Sequence, residues 1–140
     1  MSERWAIDAS VGIAWVHPAQ ATEATAELIQ EVKRGVALVV PALWFAELAN
    51  ALLVLERRKK LKSEDRRQAL NALGSLNIKP DYDGVPLMFG KVSEIAEAHG
   101  LSVYDAAYLE LARREQLPFA TQDPPLRSAA RKCGLRLLLK

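Results

Sequence analysis

Hydrophobic and polar positions alternate between two patterns along this chain. Short apolar runs occupy residues 4–8, 36–40, 117–121 and 135–139. Being continuous or β-branched and bounded by polar or turn residues, they predict buried strands. A weaker strand is predicted over 77–80, ahead of a loop with Asp81, Asp83 and Gly84. Between these runs, apolar residues recur at helical spacing over 22–34, 43–58, 63–73, 85–99, 102–115 and 126–132. Punctuation supports these bounds: Ser63 precedes Glu64 and Asp65, Pro86 sits in a first turn, and Gly100 and Gly134 follow the last periodic residues. Short strands alternating with helical crossovers predict a mostly parallel sheet covered on both faces, an α/β three-layer sandwich.

Composition narrows the class. With 140 residues, half of them apolar, and only seven Gly and seven Pro, the chain is expected to form one compact domain over 1–140. Disordered, collagen-like and two-domain readings are excluded, and no internal repeat is visible. Cys133 is the only cysteine, so no internal disulfide is expected and a reducing cytoplasm is the natural compartment. The longest apolar stretch, 35–46, contains Pro41 and falls short of the ~18 residues a spanning helix requires. Glu3 and Asp8 bracket the first hydrophobic residues, unlike a secretory leader. A net charge of +2 from 19 basic and 17 acidic side chains is too balanced to identify a nucleic-acid binder by itself.

Ligands of parallel sheets settle outside the carboxyl ends of the strands, and four acids are predicted to reach that edge. Asp8 closes the first strand, Asp123 follows the strand over 117–121, Asp105 lies in the first turn of the helix from Ser102, and Glu47 lies in the first two turns of the helix after the second strand. From Pro41 to Leu55 the only polar side chains are Glu47 and Asn50, one turn apart on a helix otherwise apolar all round. Such a helix is expected to be buried, and its carboxylate then requires a proton, a distant basic side chain or a metal ion. Each aspartate also has a local reading. Asp8 and Asp123 fit helix N-caps, the latter with Pro124 at the first helical position, and Ser102 to Asp105 fits a capping box.

Three independent caps and one buried ion pair meeting at one edge is a poorer account than a shared cation. Crowded carboxylates raise one another's pKa unless a positive charge sits between them. Oxygen-only ligands suit Mg²⁺ or Mn²⁺, which keep several waters and bind phosphates. The matching chemistry is phosphoryl transfer or phosphodiester hydrolysis by a metal-activated water, with no separate histidine base. Ser10 and Thr121, and on the helix Asn50, are expected to support the ligating carboxylates by hydrogen bonding. His17 and His99, with one cysteine, are too few for a zinc site and are expected to face solvent. No phosphate-cradling glycine fingerprint and no nucleophilic serine elbow follows any strand.

One charge cluster stands apart. Arg57, Arg58, Lys59, Lys60, Lys62, Arg66 and Arg67 straddle the turn between two helices. The turn is either simply solvated or a contact for RNA phosphates or an acidic partner, with Arg57, Arg58, Lys59 and Lys60 the candidates.

Four segments in order, Ile7-Asp8-Ala9-Ser10-Val11, Pro41-Ala42-Leu43-Trp44 through Glu47 and Asn50-Ala51-Leu52, Leu101 through Tyr108, and Thr121-Gln122-Asp123-Pro124-Pro125-Leu126, resemble the PIN-domain ribonucleases, above all the VapC type of toxin. The resemblance implies a five-stranded parallel sheet between helices and a Mg²⁺- or Mn²⁺-dependent endoribonuclease. Asp8, Glu47, Asp105 and Asp123 match the family's four acidic positions, and Thr121 and Ser10 its frequent hydroxyls. It also implies a homodimer silenced by a small antitoxin. The Pro124-Pro125 pair departs from the more usual polar residues after the last aspartate. The competing readings are a PIN-like module that grips RNA without cutting it, a phospho-accepting receiver domain using Asp8, and a metal nuclease acting on DNA. The receiver reading lacks paired acids around the first strand and a lysine after a late strand.

Overall fold

The computed structural model describes residues 3–139. Its elements run β1 (Arg4–Ile7), α1 (Ala9–Val16), a 3₁₀ turn (Pro18–Gln20), α2 (Glu23–Lys33), β2 (Ala37–Pro41), α3 (Leu43–Arg57), α4 (Ser63–Gly74), β3 (Ile78–Asp81), α5 (Ser93–His99), α6 (Val103–Arg114), β4 (Phe119–Ala120) and α7 (Pro124–Lys132). The strands form one parallel sheet in the order β3-β2-β1-β4. Arg4 pairs with Ala37 and Ala6 with Val39 in the centre, and Ile7 pairs with Ala120 on the other side of β1. Every residue of β2 is buried, as its unbroken apolar run requires of a strand covered on both faces. β3 is an edge strand, where Pro80 costs no ladder hydrogen bond on its open side. Among the described residues no helix is long and apolar enough to cross a membrane.

Several expectations need correction. Among the described residues the sheet has four strands rather than five. The segment over 135–139 meets β4 through one parallel bridge, Phe119 with Leu137. Leu135 N–H is still tied to Ala130 O at the end of α7, where Gly134 has φ 74°, so the chain straightens too late to pair further. The helix expected over 85–99 is broken into a 3₁₀ turn (Val85–Leu87), a π-helical turn (Met88–Val92) and α5. Pro86 starts the first piece, and the Ser93 hydroxyl donates to Met88 O at 2.8 Å, occupying a carbonyl the α-helical ladder would use.

Another concerns α3. It is not buried all round: Trp44, Leu48 and Leu52 face the core, while Phe45, Ala46, Ala49 and Asn50 are exposed. The helix lies on the surface of the sandwich with one apolar stripe inward, and its outer face, apolar except for Asn50, is not covered by any element of the described residues.

The core is continuous around the sheet. α1 is buried along Val11 to Ala14 and lies against α3 so closely that a Cβ on Gly12 would stand 2.9 Å from Leu48 Cδ1. α6 is buried continuously from Ala106 to Ala112. That stretch includes Glu110, which is paired with Arg114 at 2.9 Å. Arg114 also reaches Asp81 at the end of β3, at 2.7 Å, and so fastens the edge strand to α6. His17 is buried with Nδ1 unpartnered, contrary to the solvent-facing expectation, because the chain turns at Pro18 and tucks the ring beside the α3–α4 turn. His99 is half-buried, with Nε2 3.6 Å from Cys133 Sγ.

Candidate active site

The acids are built into the carboxyl edge of the sheet by ordinary local structure. β1 ends at Ile7, so Asp8 leaves the strand and caps α1, Oδ1 accepting from Val11 N–H at 3.3 Å. β4 ends at Ala120, and Asp123 caps α7 with Oδ2 accepting from Leu126 N–H at 3.0 Å. Ser102 caps α6 by accepting from Asp105 N–H at 3.0 Å, which fixes Asp105 in the first turn. The caps anticipated at Asp8 and Asp123 are therefore present. They consume one lone pair each and leave the carboxylates at the same edge.

Asp8 is the most constrained of the four. It is 5% exposed. Ser10 Oγ donates to its Oδ1 at 2.6 Å and Thr121 Oγ1 to its Oδ2 at 2.5 Å. Each hydroxyl is itself aimed by a backbone N–H, Gln122 N to Ser10 Oγ at 2.9 Å and Asp123 N to Thr121 Oγ1 at 3.0 Å. Trp44 Nε1 from α3 holds the Asp8 carbonyl at 3.2 Å. Burial pushes the Asp8 carboxyl group up to about 6, against the opposing pull of Ser10, Thr121 and Val11, and Asp105 adds to the rise.

Glu47 is half-buried on α3, and its Oε1 accepts from the buried Tyr108 hydroxyl at 2.6 Å. Burial raises its pKa, the Tyr108 bond opposes the rise, and the charge of Asp105 reinforces it. Asp105 is itself raised by burial and then by the charge of Asp123. Asp105 is thus the hub, electrostatically coupled to each of the other three acids. Among the described residues no lysine or arginine forms an ion pair with any of the four.

Among the described residues no three acidic, histidine or cysteine side chains converge into a ready-made metal cage. The donor set nonetheless fits a hard divalent ion of the Mg²⁺ kind, which is held through one or two carboxylates with waters completing its shell. A cluster of negative groups with raised pKa values and no protein counter-ion is the environment such an ion neutralises.

Other expected residues lie apart. Asn50 is exposed one turn beyond Glu47 and has no hydrogen bond to the four acids. Arg57, Arg58, Lys59 and Lys60 are exposed at the far end of α3. At a rise of 1.5 Å per residue they stand roughly 15 Å from Glu47 along the helix axis. Lys59 adopts φ 58°, closing the helix with a left-handed residue where glycine is cheaper. Tyr108 and Gln122 escaped the sequence reading of the site. A signal for Tyr108 did exist, since a tyrosine within the apolar run of α6 needs a partner for its hydroxyl.

With this geometry in place, a sequence model of the PIN domain matches residues 6–132. The chain belongs to the PIN-domain family. No curated protein matches it significantly. In structure this PIN domain is similar to PAE2754 from Pyrobaculum aerophilum, 23% identical with a TM-score of 0.67 over 92% of this chain and 87% of that one. It is also similar to VapBC2 from Rickettsia felis bound to a DNA fragment from their promoter, 13% identical with a TM-score of 0.66 over 96% of both chains. FitAcB from Neisseria gonorrhoeae is 20% identical with a TM-score of 0.60 over 94% of both. These likenesses are of fold. In this PIN domain Asp8 and Asp123 cap α1 and α7, and Glu47 and Asp105 lie near the starts of α3 and α6.

Proposed function

We propose that this PIN domain is a divalent-metal-dependent endoribonuclease and the toxin of a toxin–antitoxin pair. The observation that carries the reading is geometric: at one sheet edge the buried Asp8 is held by the neutral hydroxyls of Ser10 and Thr121 and Glu47 by that of Tyr108, and among the described residues no lysine or arginine pairs with either acid. Asp8 and Asp105 are assigned as direct ligands of Mg²⁺ or Mn²⁺, with Glu47 and Asp123 completing the charge and positioning water. The bound ion would polarise the scissile phosphodiester and lower the pKa of a water. The chain's own part is orientation. Ser10 and Thr121 fix the Asp8 carboxylate, the Asp123 cap fixes the start of α7, and Ser102 fixes the start of α6. Arg57, Arg58, Lys59 and Lys60 are assigned to phosphates of an extended RNA at a distance from the cut.

Partner binding is supported by the surface. Phe45 and Tyr104 are exposed in the first turns of α3 and α6, the same turns that carry or adjoin Glu47 and Asp105, and Phe89 is fully exposed on the π-helical turn. Exposed aromatic side chains beside an acidic edge suit a second copy of the chain and an antitoxin segment that obstructs the edge. VapBC2, similar in fold, was solved bound to a DNA fragment. The assignment places this chain in a cytoplasmic complex of that kind. The test is incubation of the purified chain with RNA and with DNA of matching sequence, in Mn²⁺ or in chelator. Cleavage of RNA alone, requiring metal and lost in Asp8→Asn and Asp105→Asn, is expected. Unchanged cutting by both variants refutes the assignment.

A further inference from the structure

We infer that Tyr108 is a positioning residue of this acidic edge, acting through Glu47 to hold one carboxylate oxygen ready for a cation. The inference rests on the metal-dependent reading above. Tyr108 is 1% exposed, and its ring is locked in the core of α6, one turn from Asp105. Its hydroxyl donates to Glu47 Oε1 at 2.6 Å, across from α6 to α3. Glu47 is half-buried, and Asn50, the polar residue one turn away on α3, makes no hydrogen bond to it, so among the described residues Tyr108 alone holds its carboxylate.

Two features make the phenol suited to this task. It is a donor without charge, so it fixes Glu47 without cancelling the negative charge that a cation would meet; an arginine in its place would compete with that cation. It also occupies one oxygen only, leaving Oε2 unengaged. A phenol is ordinarily protonated at neutral pH and so serves as a hydrogen-bond donor there. The bland reading, that Glu47 merely satisfies a buried hydroxyl, makes the opposite prediction for metal binding.

The experiment is a double-mutant cycle read as Mn²⁺ affinity, by titration calorimetry or by the electron paramagnetic resonance signal of free Mn²⁺. The cycle uses the full chain as wild type, Tyr108→Phe, Glu47→Gln and the double variant. Partners that orient metal ligands typically alter affinity 10- to 100-fold. Tyr108→Phe is expected to weaken Mn²⁺ binding about tenfold in the wild-type background and less than about twofold when Glu47 is already glutamine. Equal losses in both backgrounds, or no loss in either, overturn the inference while leaving the metal site intact. A wild-type chain that binds no Mn²⁺ overturns the functional reading as well. Thermal unfolding in chelator checks that Tyr108→Phe folds. If it does not, Glu47→Asp, which keeps the charge and draws the carboxylate away from the phenol, must show the same roughly tenfold loss. Wild-type affinity in Glu47→Asp overturns the inference.

Discussion

Replacing Asp8 with asparagine should stabilise the metal-free protein, although it removes the best-held acid in the molecule. Buried at 5% exposure, the Asp8 carboxyl group is pushed up to about 6 from its ordinary 3.8. Between those values the folded chain keeps a proton that the unfolded chain has released. Stability therefore falls as pH rises through the window, and the full penalty is present above about 6. The gap corresponds to roughly 3 kcal/mol. Asparagine removes that penalty but offers one carbonyl oxygen in place of two acceptors. Thr121 Oγ1 already accepts from Asp123 N–H, so one hydroxyl must turn or lose its acceptor, at about 1–2 kcal/mol. The net expectation is a gain of about 1–2 kcal/mol at pH 7.5, or roughly 2–8 °C in melting temperature for a chain of this size. Circular dichroism melts in chelator, from pH 4.5 to 8, would read it. The advantage of the variant should grow from pH 4.5 to about 6.5 and then level, and added Mn²⁺ should raise the melting temperature of wild type only. A variant less stable than wild type at pH 7.5, or an advantage that does not change with pH, refutes the reasoning.

Three further outcomes follow from other parts of the fold. Arg114→Ala strands Glu110 and Asp81, both nearly buried, and is expected to destabilise the chain by about 3 kcal/mol in urea titrations; a loss below about 1 kcal/mol would show that the pairing is not structural. Gly12→Ala places a methyl 2.9 Å from Leu48 Cδ1 and 3.1 Å from Trp44 Cζ2, and a loss of about 1–3 kcal/mol is expected by the same assay, whereas unchanged stability would mean that α3 yields at no cost. Changing Arg57, Arg58, Lys59 and Lys60 together to glutamine should weaken RNA binding and reduce the slope of log affinity against log salt by about 0.7 for each phosphate no longer neutralised. An unchanged slope would place the RNA elsewhere.

Much of the fold is legible because its signals are local. β2 reads as a buried strand since all five of its residues are covered on both faces. α7 reads from Asp123-Pro124 because cap and proline are chemistry of adjacent residues. The misreadings come from partners distant in sequence. Nothing near Leu137 tells that Leu135 is still held by α7, so the last run looks like a full strand. α1 shows little helical contrast because it is short and buried on several sides against α3. The outer face of α3 is apolar although no element of the described chain covers it, so its residue types alone made it look interior. At the edge, the acids and the hydroxyls of Ser10 and Thr121 are visible in sequence as neighbours of strand ends. The bond from Tyr108 to Glu47 spans two helices, and no spacing rule encodes it.

The same sheet edge treats its acids in two different ways, and the contrast bears on function. Asp81 is the last residue of β3, at the same edge as Asp8 just after β1, yet Arg114 holds Asp81 through both Nη atoms and also takes Glu110. Although burial tends to raise it, the Asp81 carboxyl group is held below its ordinary value by Arg114. Where an acid ties two elements together, this fold supplies a guanidinium whose charge completes the contact. Asp8 and Glu47 receive hydroxyls instead, from Ser10, Thr121 and Tyr108, and both remain raised. Hydroxyls orient a carboxylate while leaving its charge uncompensated, which is costly for a residue that only supports the fold. The cost is understandable if the missing positive charge arrives from solution, and it is the reason that removing Asp8 should strengthen the metal-free fold while abolishing the response to Mn²⁺.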